Sequence, residues 1–273
     1  MKASLLVIAT ILFGVALRST KQKCARKIGV LFYIVATGLT AYFVSHSILI
    51  GMLVAGLWIL FPWVVLICSV RKTRLPLENK LCKQSLPCGT YFPEAAQIKQ
   101  KFLEKGYEHV TDCGWQWAKS HEHYSFFWNE EEKHLIAICH RIQSCVTFCY
   151  LNITSTAKDG TIWRSSNFPF SSSLPLCPTT KLNHVTDGNI ACPEHMLYSH
   201  ELFLYNKGID NAQLEVKNVA QISQCFEQEM RSQIDHNLQS GMIQLTGDGH
   251  FRYTYKGLIF LWRQTLKDMF RMC

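Results

Sequence analysis

Cysteine and histidine are the residues of this chain with the most chemical potential, twelve of one and eleven of the other. Their tightest grouping is Cys139, His140, Cys145 and Cys149, with His121-Glu122-His123 one strand upstream. A thiol beside an imidazole is the nucleophile and base of acyl and group transfer. His123, Cys139, His140, Cys145 and Cys149 are therefore the candidates for a membrane-associated hydrolase or transferase. The spacing argues against a metal. There is no C-x-x-C pair and no Cys/His quartet at zinc-finger spacing. His121 and His123 would share one face of a strand, but two ligands need a third, and Ser125 stands where a helical HExxH would need its second histidine. The 121–123 segment reads more simply as a solvated strand start. Cys145 and Cys149 would face the same side of a strand as Thr147, a position for small buried side chains, so structural free thiols are the simpler expectation. His195 and His200 would lie about 140° apart on a helix and share no ligand. No G-x-S-x-G elbow, phosphate-binding loop or dinucleotide fingerprint is present. No metal and no cofactor are expected, and the sequence leans away from an enzyme.

The elements that would hold these residues are an antiparallel meander followed by helices. Runs rich in β-branched and aromatic residues at 109–117, 124–128, 134–140, 145–153 and 161–163 predict five strands, separated by polar turns at 129–132 and 158–160. A helix from Pro93 to Gly106 precedes them. The proline- and serine-containing segment Phe168–Cys192 predicts a long loop that covers the sheet or a site. Helices are then predicted from Pro193 to Asn206 and from Val216 to Gln239. The second carries an apolar stripe through Val219, Ile222, Phe226, Met230, Ile234 and Leu238. Gly247-Asp248-Gly249 predicts a hairpin, followed by a last amphipathic helix from Leu258. That helix suits either the domain's own core or the surface of a membrane leaflet.

The first 74 residues have a different solvent in view. From Ile28 to Val70 there is no Asp, Glu, Lys or Arg, and the first acidic residue of the chain is Glu78. Such a run has the length of two crossings, about 20 residues each, broken at Ser45-His46-Ser47. With the apolar block before Arg18 the predicted spans are 3–17, 28–44 and 48–70. The first reads as a retained span in preference to a cleaved signal, because five cations from Arg18 to Lys27 follow it and no small-x-small site ends it. Pro62 predicts a kink in the third span, and Gly51 with Ala55 forms a small-xxx-small pair, a spacing that chance explains as well. Positive clusters at 18–27 and 71–74 put the amino terminus outside and the 75–273 domain in the cytoplasm.

Charge follows the same division. The net charge of +8 comes from nine basic and no acidic residues before position 75, leaving 19 basic against 20 acidic residues in the domain. The basic balance is that of membrane flanks and not a nucleic-acid footprint. The expected fold is thus a membrane-anchored α+β protein, whose partners are the lipid bilayer and a protein or a second copy of the chain, with no nucleic acid.

Lys158-Asp159-Gly160-Thr161, Ser166-Asn167, and Pro193-Glu194 with Leu197-Tyr198-x-His200 together resemble an uncharacterised family of bacterial membrane-anchored proteins. The resemblance covers about a third of the chain and implies an inner-membrane architecture without an assigned activity. Ser240 to Gly257 is also similar to the wing hairpin of a winged-helix domain. Glu227, Glu229 and Asp235 outnumber the cations of the preceding helix, which opposes a phosphate-binding role for it.

Overall fold

A computed structural model of the chain describes residues 2–20, 22–78, 80–84, 95–117, 120–143, 146–185 and 192–272. It is mixed α+β. Three apolar helices come first: α1 (Lys2–Arg18), α2 (Lys23–Ser45) and α3 (Ile48–Cys68). Two short strands, β1 (Leu75–Pro76) and β2 (Cys82–Lys83), lead to α4 (Ala95–Glu104). The meander is β3 (Glu108–Trp117), β4 (Ser120–Asn129), β5 (His134–Gln143), β6 (Val146–Thr156) and β7 (Ile162–Ser166), and β8 (Thr180–His184) follows. The chain ends as α5 (Pro193–Asn206), α6 (Ile222–Gln239), β9 (Ile243–Gly247), β10 (His250–Tyr253) and α7 (Tyr255–Met272).

By length and composition α2 can cross a membrane alone, from Cys24 to Ser45. α3 does so if its halves, Ile48–Trp58 and Leu60–Lys72, count as one span; they meet at 53°. The bend begins where Pro62 predicts it, since a proline ring displaces the carbonyl four residues back, here that of Trp58. α1 is shorter. His46 turns α2 into α3 with a left-handed backbone (φ 53°), and its N–H caps Tyr42. Glycines set both helix contacts. A Cβ on Gly29 would lie 2.8 Å from the Gly14 carbonyl oxygen, and one on Gly51 would lie 2.9 Å from that of Gly38. Ala55 also meets Gly38, so the spacing of Gly51 and Ala55 is a packing motif and not chance.

Seven strands form the large sheet in the order β2-β3-β4-β5-β6-β7-β8, antiparallel except for β7 and β8. β8 corrects the expectation of an unbroken loop over 168–192. Its sequence, TKLNH, has no strand alternation to read, and its partner β7 supplies the order. One core packs α4 and α5 on one face of this sheet, through Ile98, Phe102, Met196 and Leu197. A second packs α6 on the other, through Ile222 and Phe226 against Tyr124, Phe126 and Cys139. The hairpin predicted at Gly247-Asp248-Gly249 is present as β9 and β10, with β1 added alongside β10. A third core joins Trp63, Leu66 and Ile67 of α3 to Ile234, Phe251, Leu258 and Trp262.

Candidate functional site

Strand alternation sorts the candidate residues onto two faces. His123 is opposite His140, and His140 is opposite Cys149, so these three form one cross-strand row on the α4/α5 face. Cys139 lies on the other face, opposite Tyr124 and Tyr150. Cys139 and His140 are neighbours in sequence and are not brought together. Cys145 lies outside the described residues. His123 and His140 are buried, the latter completely, and Cys149 is half-buried against the core of that face. Burial and neighbouring charge, Lys99 first, push His140 down to about 4. Burial together with His121 lowers His123. Both imidazoles are neutral at pH 7.

Burial raises the Cys139 thiol well above its ordinary value, as do the neighbouring Cys149 and Glu122, and it pushes Cys113 up to about 12. Neither is a nucleophile at neutral pH. Among the described residues no group of three or more His, Cys, Asp and Glu converges to hold a metal. The segment at 121–123 corrects the expectation of a solvated strand start, because Glu122 is only 6 % exposed and points away from both histidines.

Charge is concentrated on the α6 face. Arg141 is opposite Glu122 and forms an ion pair with it, and the Tyr124 hydroxyl donates to the same carboxylate. Trp115 Nε1 donates to Tyr124 at 3.4 Å. Further along the face, Arg164 Nη2 lies 2.6 and 2.8 Å from the two Glu229 oxygens, and Arg164 Nε donates to Thr154 at 3.1 Å. Both arginines open on a cavity of about 320 Å³ between the large sheet, α6 and the small sheet. Trp115, Glu229, Gln233 and Tyr253 are among its wall residues, with Met230, Ile234 and Phe251, and Ser173, Leu174 and Leu176 of the 168–180 segment border it. That segment is tied to α6: Gln233 Oε1 accepts from Cys177 N–H at 2.9 Å, and Asn237 Nδ2 donates to the Pro175 carbonyl at 3.0 Å.

The predicted cover and the space beneath it are both present, but among the described residues no His or Cys lines that space. Each guanidinium is matched by a carboxylate, and aliphatic, aromatic and amide side chains make up most of the remaining walls. Sequence reasoning missed Glu122, Arg141, Arg164 and Glu229. The readable signal was a charged residue on the inward side of an otherwise apolar alternation, as Glu122 is beside Tyr124 and Phe126.

The residues that carry the family resemblance are used for architecture. Gly160 takes a left-handed turn (φ 83°) and Asp159 Oδ1 accepts from Thr161 N–H at 2.8 Å. Asn167 Oδ1 accepts from Leu151 N–H at 2.7 Å. His200, fully buried, bridges Ser155 and Ser165 at 3.1 and 2.9 Å and pins α5 to the sheet.

No family model matches the chain, and neither a curated protein nor a solved structure matches it. Fold and cleft define a mixed α+β protein with one apolar N-terminal helix of membrane-crossing length.

Proposed function

We propose that the chain is a multi-pass inner-membrane protein whose α1–α3 cross the bilayer and whose cytoplasmic domain is a binding or assembly module, taking a polar group of a protein partner into the cleft between Arg141 and Arg164. The observation that carries this reading is the third core. α3 does not merely end before the domain: Trp63, Leu66 and Ile67 build into it beside Leu258 and Trp262. Supporting it, α1–α3 carry large apolar side chains turned outward, among them Leu12, Val44, Ile48 and Phe61, each more than 60 % exposed. Water does not stabilise such a surface, whereas lipid does. The cation clusters at 18–27 and 71–74 support the orientation.

The reading is tested by alkaline washing of membranes, followed by crosslinking of the wild type and of the Arg141→Ala/Arg164→Ala variant. Retention in the pellet, with crosslinked partners lost from the variant, is expected. Release by the wash, or an unchanged crosslinking pattern, contradicts it.

The row His123–His140–Cys149 favours a second reading, a Cys/His hydrolase or transferase on the α4/α5 face. It requires Cys149 to react with iodoacetamide faster than the exposed Cys82 and Cys192. Slower labelling at Cys149 removes it.

A further inference from the structure

A second cavity, of about 190 Å³, lies where α7 meets the apolar helices. Val30, Tyr33 and Ile34 of α2, Trp58 of α3, and Leu266, Met269 and Phe270 of α7 form its walls. It is smaller than the roughly 300–1,000 Å³ of sites for drug-sized molecules. Its walls are hydrocarbon and aromatic, and one charged group reaches it. Arg18, at the end of α1, places its guanidinium 5.9 Å from the centre of the Tyr33 ring.

Among the described residues Arg18 forms no ion pair, and the sequence places no acidic side chain before Glu78. On α7 the one acidic residue, Asp268, is already engaged. Its carboxylate accepts from Ser171 N–H and Oγ at 2.8 and 2.7 Å and pairs with Arg271 at 3.0 Å. The exposed cations nearest in the helix, Arg263 and Lys267, lie one turn before and one residue after Leu266. The cavity therefore joins an apolar slot to an excess of positive charge. Met269 and Phe270 are at once wall residues and partly open to the outside, which leaves a lateral way in from lipid.

We infer that this cavity takes the part of an acyl chain nearest the headgroup of an anionic phospholipid from the surrounding bilayer, with Arg18 holding its phosphate. The inference rests on the membrane reading above and names the lipid that the bundle selects. Charge complementarity decides the class: a zwitterionic lipid brings its own cation to a place that already has several, whereas an anionic one meets Arg18 directly. Filled in this way, the slot would fasten α7 to α2 and α3 and fix the domain against the membrane.

The test uses the full chain in neutral detergent, with dioleoyl phosphatidylglycerol or dioleoyl phosphatidylcholine added at equal mole fraction. An about tenfold preference for the anionic lipid reads as a Tm about 3–6 °C higher than with the zwitterionic one. Arg18→Gln is expected to remove the difference, and Leu266→Trp, which fills the slot, to remove stabilisation by either lipid. Equal Tm values with the two lipids, or a difference that survives Arg18→Gln, would overturn the inference. Should a variant unfold before lipid is added, quenching by lipids brominated on the acyl chain gives the same decision on the wild type. Trp58 fluorescence, isolated by difference from Trp58→Phe, must be quenched more by the anionic form; equal quenching overturns the inference. Release of the chain by alkaline washing would instead defeat the membrane reading, so the two failures are distinguishable.

Discussion

Trp63 of α3 and Trp262 of α7 stand with ring centroids 5.8 Å apart at 60°, so the last helix of the chain packs on the bent half of the third. Aromatic pairs in this tilted arrangement contribute beyond their buried area. Trp262→Ala is expected to cost about 2 kcal/mol, less than a fully buried tryptophan because both rings are half-buried. Thermal unfolding in detergent measures it, and limited proteolysis should then cut between Arg71 and Leu77 faster than in the wild type. An unchanged Tm and digestion pattern would show that the two helices are not coupled.

Acid should loosen the α5 face. Burial pushes His134 down to about 4 and, together with the neighbouring His134, His200 down to about 3. Their folded values lie below the ordinary 6.5, so the folded state favours the neutral imidazoles. The stability they confer is complete above pH 6.5 and is lost as pH falls toward 4, where the unfolded chain binds protons that the folded chain refuses. The loss is on the order of a few kcal/mol. His134→Phe should flatten the stability curve between pH 6.5 and 4; a slope equal to that of the wild type would contradict this assignment.

Glu122 is buried and depends on Arg141 and Tyr124 for its solvation. Arg141→Met leaves that carboxylate without its cation and should cost about 2–3 kcal/mol, the low side for a buried pair because Arg141 keeps some solvent contact. Adding Glu122→Gln should recover more than half of the loss. A double variant as unstable as the sum of the single ones would show that the pair is not coupled.

The helix contacts of the bundle depend on glycine. Gly51→Leu forces a side chain into the Gly38 carbonyl and should destabilise the α2–α3 pair by about 1–3 kcal/mol. A Cβ on Gly56 meets nothing within 4 Å, so Gly56→Ala should be neutral or slightly stabilising. Chemical unfolding of both variants in detergent provides the comparison, and equal effects would refute the close approach.

Much of this architecture could be read from residues. The break at Ser45–Ser47 and the bend ahead of Pro62 follow from backbone chemistry, and the meander strands follow from β-branched and aromatic runs bounded by polar turns. β8 was not legible, because Thr180–His184 is polar and becomes a strand only through parallel pairing with β7. The site was legible in its cover and not in its lining. Cysteine and histidine are the reactive side chains that stand out in the sequence, whereas the cleft is lined by Arg141 and Arg164. Alternation explains the miss: it turns Cys139 and Arg141 toward α6 and His140 toward α4 and α5, so sequence neighbours belong to different sites. Gly51 and Ala55 looked accidental, since their partner Gly38 lies on another helix.

The central claim is that a membrane bundle carries the domain on its cytoplasmic side, and exposed thiols on the domain test it. Cys82 and Cys192 are both exposed. A membrane-impermeant maleimide is applied to intact and to permeabilised cells, and its adducts are mapped by mass spectrometry. Adducts at Cys82 and Cys192 only after permeabilisation are predicted. Adducts at either residue from intact cells would contradict the account.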